Sequence, residues 1–165
     1  MIGRICLLLT VLCFTLGGAS DGPLDRGTLR GIAAVNVVID PIAPEIGNEG
    51  ASSDAIRTRL EQRLRDAGIK LDPASSEFVA FRLSSVRAAR GPFAIAATIG
   101  LYQPVILARD KTLRTATQTW EVATVLLADA KQVNRACLDS VDELAGRFVS
   151  AYKSVNDGGQ AARGQ

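Results

Sequence analysis

Between residues 93 and 101 the bulky side chains Phe93, Ile95, Ile99 and Leu101 all fall at odd positions, while Ala94, Ala96, Thr98 and Gly100 fall at even ones. A two-residue period puts one bulky face and one small face on a strand. After Arg109-Asp110-Lys111-Thr112 the pattern is answered. Thr117, Thr119 and Glu121 alternate with Gln118, Trp120 and Val122, and the apolar run continues through Val125, Leu126 and Leu127. Together the two runs predict a β-hairpin with Trp120 turned inward.

Upstream, Val35, Val37 and Ile39 alternate with Ala34, Asn36 and Val38, which predicts a first strand over residues 32–39. Both of its faces are largely apolar, so a central place in a sheet is expected. Asp40-Pro41 ends it, and the Gly47-Asn48-Glu49-Gly50 stretch reads as a mobile loop. The period then changes to that of a helix: Ile56, Leu60, Leu64 and Ala67 recur behind the cap residues Ser52, Ser53 and Asp54, and Gly68 closes the segment. A further strand is expected over residues 77–86, with Val79, Phe81 and Leu83 on one side. From Ala130 onward Val133, Cys137, Val141, Leu144, Phe148, Tyr152 and Val155 share one helical face.

The order strand, helix, three strands, helix predicts an α+β fold, a mainly antiparallel four-stranded sheet with two helices packed on one face. Pro104 lies in the second half of the third predicted strand, so a bend or a sheet edge is expected there. Residues 91–108 carry no charge. Pro92, Gly100, Gln103 and Pro104 argue against a membrane-spanning helix in that stretch, and strand alternation accounts for its apolar content. The small reverse face, Ala94, Ala96, Thr98 and Gly100, is where a ligand, a lipid or another protein could approach closely.

The beginning of the chain changes the picture of where this domain works. Arg4 precedes an uncharged apolar run over residues 5–16, followed by Gly17-Gly18-Ala19-Ser20. This is the architecture of a secretory leader cleaved near Ala19 or Ser20; the competing reading, a retained anchor, needs a longer apolar run. The expected organisation is a signal peptide over residues 1–19, a flexible lead-in over 20–30, one domain over 31–155 and a disordered tail over 156–165. Localisation is then the periplasm or the extracellular space. Two of three cysteines, Cys6 and Cys13, fall in the leader, which leaves Cys137 without a disulfide partner and inside the apolar arc of the last helix. The net charge of +2 becomes +1 without Arg4, too balanced to attract nucleic acid.

Candidate chemistry is sparse. The chain has no histidine, which removes the commonest general base and metal ligand. No glycine-rich phosphate loop is present. No cofactor or metal site is expected, and Asp139, Asp142 and Glu143 read as a solvated helix face. Asp40, Glu45 and Glu49, with Arg82 or Arg90, are the only group on which a carboxylate-dependent enzyme could be founded. Arginines offer the clearer surface: Arg57, Arg59 and Arg63 on the first long helix, with Arg82, Arg87 and Arg90 near the third strand, are the candidate partner-contact residues. Glu61 lies four residues from both Arg57 and Arg65, so part of that helix should pair with itself.

The leader, the strand Gly31-Ile32-Ala33-Ala34-Val35-Asn36-Val37-Val38, the helix end Leu60-Glu61-Gln62-Arg63-Leu64-Arg65-Asp66-Ala67-Gly68, the strand Thr119-Trp120-Glu121 and the closing amphipathic helix together resemble small bacterial envelope proteins. These are the LPS-assembly lipoprotein of the outer membrane and the curli-secretion-type and penicillin-binding-protein-activator lipoproteins. The likeness is one of layout over residues 30–155, and Asp21-Gly22-Pro23 stands where those proteins carry a lipidated cysteine. The leader, the compact sheet with small residues on one side and the absence of catalytic groups lead to the expectation of an exported, non-catalytic binding or assembly module of the bacterial envelope, whose partner is an envelope protein or a lipid, through sheet-face or sheet-edge contacts; a small carboxylate-dependent periplasmic enzyme is the alternative. Oligomeric state is left open.

Overall fold

The structure is a computed structural model that describes residues 21–87, 89 and 91–157. The leader, Arg90 and the tail from residue 158 lie outside the described residues. Elements follow in the order α1 (Pro23–Gly27), β1 (Asn36–Ile39), α2 (Pro44–Gly47), α3 (Ser53–Asp66), β2 (Phe78–Arg87), β3 (Phe93–Leu107), β4 (Asp110–Ala128), a single 3-10 turn (Ala130–Gln132) and α4 (Val133–Asn156). The sheet order is β1-β2-β3-β4. An α+β fold is what the periodicities predict, but two details of the sheet differ.

The sheet is mixed. β2, β3 and β4 pair antiparallel, whereas β1 runs parallel to β2, Asn36 facing Phe78 and Ile39 facing Phe81. A parallel neighbour requires a crossover, and α3 supplies it by carrying the chain back along the sheet before β2 begins. β1 is also an edge strand and not a central one. Its apolar character has another cause: α3 packs over it, and the segment after α3 closes on its outer side. There Val35 bridges Leu71, with the Val35 amide donating to Lys70 O at 3.0 Å and the Asp72 amide to Val35 O at 3.0 Å.

Short helices occupy two stretches expected as loops. Proline at the first turn supports both α1 and α2, since its missing N–H needs no partner there. Each is held by an apolar anchor next to it or within it, Leu29 after α1 and Ile46 in α2, both fully buried. The lead-in is therefore docked on the body of the domain. Trp120 Nε1 donates to Asp21 Oδ1 at 2.9 Å, and Asp21 also receives two bonds from Arg26 at 2.8 Å each.

The core lies between the two long helices and one face of the sheet. Phe93, Ile95, Ala97, Ile99 and Leu101 of β3 face it from below, and Val133, Cys137, Val141, Leu144 and Phe148 of α4 face it from above. The Phe148 ring meets Trp120 edge-on with centroids 5.3 Å apart, a geometry the aromatic quadrupole favours. α3 starts as expected at a serine cap, Ser52 Oγ accepting from the Ala55 amide, and stops at Gly68, whose φ of 80° only glycine adopts freely. The uncharged stretch after Gly91 is β3, and among the described residues no helix is long and apolar enough to cross a membrane.

Candidate interaction surface

Among the described residues no helix packs on the second face of the sheet. In antiparallel pairs directly opposed residues point the same way, so the register assembles this face in rows across the strands. One row is Val86, Ala94 and Leu127, the next Ser84, Ala96 and Val125, then Arg82, Thr98 and Ala123, then Ala80, Gly100 and Glu121. The small face predicted from residues 94–100 is therefore the open face, and its neighbours decide its character. Val86, Val125 and Leu127 are 71%, 73% and 72% exposed, and they stand either side of Ala94 and Ala96. With strands spaced at about 4.8 Å, the walls of this apolar trough are about 10 Å apart. Scattered single apolar residues need no explanation; three around a floor of alanine make a patch.

The opposite end of the same face is polar and internally bonded. Arg82 donates from Nε to Asp40 Oδ2 at 2.7 Å and from Nη2 to the Tyr102 hydroxyl at 3.5 Å, and Tyr102 donates onward to Gln118 Oε1 at 2.8 Å. The Asp40 bond, with Tyr102 second, raises the Arg82 pKa above its ordinary value and keeps its charge in place. Phe78 stacks on Tyr102 with centroids 5.0 Å apart and rings within 1° of parallel. Gly100 lets this network close: a Cβ there would lie 3.2 Å from Gln118 Cδ and 3.3 Å from the Trp120 carbonyl oxygen.

β4 forms the free edge beside the trough, and no described strand pairs with its outer side. Two of its carbonyls are met by side chains: Thr28 Oγ1 donates to Thr119 O at 3.4 Å and Arg147 Nη1 to Ala123 O at 3.1 Å. From Val122 to Ala128 the strand has no charge, proline or glycine. A strand edge of that composition is a template for another strand wherever side chains do not cover it.

The arginines singled out from sequence do not form one surface. Arg57, Arg59 and Arg63 are on α3, across the sheet from Arg82. Arg57 donates to Val37 O, covering an edge carbonyl of β1, and stands 3.9 Å from Glu61, which also holds Arg65 at 2.7 Å. Arg59 and Arg63 both reach over to α4, where Asp142 accepts from Arg59 Nε at 2.8 Å, Arg59 Nη2 at 2.6 Å and Arg63 Nε at 2.8 Å. Those bonds, Arg59 first and Arg63 second, lower the Asp142 pKa to about 2. Arg87 ends β2, its guanidinium 4.5 Å above the Phe93 ring and 3.8 Å from Glu49. Arg90 lies outside the described residues.

The three carboxylates that could found an enzyme are each met by a different residue along β2: Asp40 by Arg82, Glu45 by Ser85 at 3.1 Å and Glu49 by Arg87. An open concavity of about 640 Å³ lies beyond the start of β2, between Lys70, Asp72, Ser75, Glu77 and Pro104. Three of its polar side chains are engaged locally: Ser75 Oγ donates to Ala34 O, Asp72 Oδ1 accepts from the Ala74 amide and Glu77 Oε1 accepts from Gln103 Nε2. Among the described residues no three Cys, Asp or Glu side chains gather as a metal would require. The Cys137 thiol is buried, and burial pushes its pKa up to about 11.

Sequence reasoning missed three features. The Asp142 clasp and the Asp21–Trp120 bond join residues 79 to 99 positions apart, and no local pattern marks them. The exposed apolar wall could have been found, because Val125 and Leu127 share a parity with the polar Glu121.

No protein-family model matches the chain, and no curated protein matches it. Several solved structures are similar to it over most of their length. A PelC dodecamer from Paraburkholderia phytofirmans is 11% identical, with a TM-score of 0.41 over 70% of this chain and 86% of that one. A Xanthomonas campestris protein of the DUF330 family is 12% identical, with a TM-score of 0.42 over 80% and 89%. A minor lipoprotein from Acinetobacter baumannii is 10% identical, with a TM-score of 0.32 over 74% and 95%.

Proposed function

We propose that this protein is an exported, non-catalytic binding module of the bacterial cell envelope, and that it holds an envelope protein against the open sheet face and the free edge of β4. One observation carries the reading: Val86, Val125 and Leu127 stand largely in water around an alanine floor, directly beside a long strand with no described strand paired on its outer side. An added strand would complete the hydrogen bonds of β4 and send alternate side chains into the trough, the mode by which sheets capture extended segments. Full burial of each wall residue contributes roughly 1.5–3 kcal/mol before the costs of association. Export rests on the leader-like residues 1–20 and the assignment as a binding module on the contrast between an open apolar face and carboxylates that are separately paired.

A photo-crosslinking amino acid placed at Val125, at Leu127 and, as a control on α4, at Arg135 tests the reading in intact cells. A discrete adduct from the first two positions, lost when Val86 is changed to Glu in the same protein, is the expected result. Equal labelling at all three positions, or none at the sheet positions, refutes it.

A further inference from the structure

Past Tyr102, β3 leaves β2 behind. Pairing with β2 ends at the Phe78–Tyr102 position, yet β3 continues to Leu107, paired there with β4 alone among the described strands. Residues 103–107 and 110–117 thus make a two-stranded arm that projects beyond the sheet and turns at Ala108-Arg109. Pro104 sits where the arm begins, its missing N–H facing the side that β2 no longer occupies, which is the sheet edge expected for it. Two strands alone are marginal in water, and this arm carries its large apolar side chains outward near the tip: Ile106 is 55% exposed and Leu113 47%.

Around those two residues the charges are mostly of one sign. Arg109, Lys111 and Arg114 are all exposed, and Ile106 stands directly opposite Arg114. The one carboxylate, Asp110, is turned to its own strand, Oδ1 accepting from the Thr112 amide at 3.0 Å and from Thr112 Oγ1 at 2.7 Å. The tip is therefore a convex cationic end with aliphatic side chains between the cations. A protein partner would need a matching hole lined with carboxylates. A lipid surface yields around a convex tip and presents phosphates on all sides of it.

From this geometry we infer that the β3–β4 arm docks on an anionic lipid surface, with Ile106 and Leu113 entering the boundary between headgroups and acyl chains and Arg109, Lys111 and Arg114 held by the phosphates. Both ingredients are needed for stable attachment, because a few aliphatic side chains or a few cations alone bind reversibly and weakly. The tip lies at the opposite end of β3 and β4 from the apolar trough. Lipid docking here and protein capture there are separate surfaces, and either can fail without the other.

Vesicle flotation tests the inference, using vesicles of phosphatidylcholine alone and of phosphatidylcholine mixed with phosphatidylglycerol. All variants are made in the full chain, so that any contribution of residues 1–20 is common to them. The protein is expected to float with the anionic vesicles, less so at high salt, and Lys111→Gln and Arg114→Gln should each weaken binding about fivefold. Ile106→Ser with Leu113→Ser should also weaken it, at unchanged charge. Should the paired serine variant lose its fold, Leu113→Trp gives an independent reading: its emission should be quenched by lipids carrying a quencher in the acyl chain. Flotation that ignores phosphatidylglycerol, flotation unchanged in the tip variants, or no flotation at all overturns the inference, as does capture of an acidic protein by the tip in place of lipid.

Discussion

Asp142 offers the sharpest test of how the helix layer is held and of what its arginines do. If Arg59 and Arg63 are occupied in clasping α3 to α4, replacing Asp142 with Asn removes the charge while keeping the shape of the side chain. The structure sets the magnitude. Lowering the carboxyl from its ordinary 3.8 to about 2 corresponds to a ceiling of roughly 2.5 kcal/mol. The two guanidinium groups are 51% and 49% exposed, so solvent screening leaves about 1 kcal/mol. The pH dependence follows from the direction of the shift. A carboxyl with a depressed pKa in the folded state contributes in full above its unfolded value, and the contribution fades as the pH falls through the folded value. Urea unfolding followed by Trp120 fluorescence should therefore show Asp142→Asn less stable by about 1 kcal/mol near pH 7, with the gap narrowing below about pH 4 and closing near pH 2. Equal stability near neutrality, or a gap that persists at the acid end, would refute the clasp and return Arg59 and Arg63 to the list of free contact residues.

Phe148→Ala opens a cavity beside Trp120 and should cost about 3–5 kcal/mol in urea unfolding, with a red shift of Trp120 emission. Gly100→Ala should destabilise by about 1–3 kcal/mol, because the Gln118 side chain can swing from the added Cβ but the Trp120 carbonyl cannot; an unchanged unfolding midpoint would contradict that packing. Cys137 should resist an aromatic disulfide reagent in the folded protein and react at once in urea, since its thiol is buried and its pKa is raised to about 11. Rapid labelling of the native protein would place the thiol at the surface.

The open face and the arm share a physical origin. A sheet covered on one side only must present its other side to water, and here that side is not uniformly polar. Hydrogen bonds among Asp40, Arg82, Tyr102 and Gln118 satisfy one end. The other end, around Val86, Val125 and Leu127, has no such satisfaction. β3 and β4 are also longer than β2, so their excess length leaves the sheet as an arm. Both surfaces follow from unequal strands and from the long helices α3 and α4 lying on the same side of the sheet.

What could be read from the sequence was what depends on near neighbours. The alternation around Phe93 and Trp120 defined two strands and their inward face, the spacing from Val133 to Phe148 defined α4, and Ser52 and Gly68 marked the ends of α3, because period and capping are properties of a few consecutive residues. The direction of β1 was settled by where α3 delivers the chain, and its place at the edge by the order in which strands pair. The Asp142 clasp and the docking of Asp21 on Trp120 arise only when segments 79 to 99 positions apart are brought together. The same holds for the surfaces: sequence identified which residues are small, apolar or cationic, but tertiary structure decided which arginines are occupied, which edge stays open and which apolar side chains remain in water, since burial and pairing are relations between distant parts of the chain.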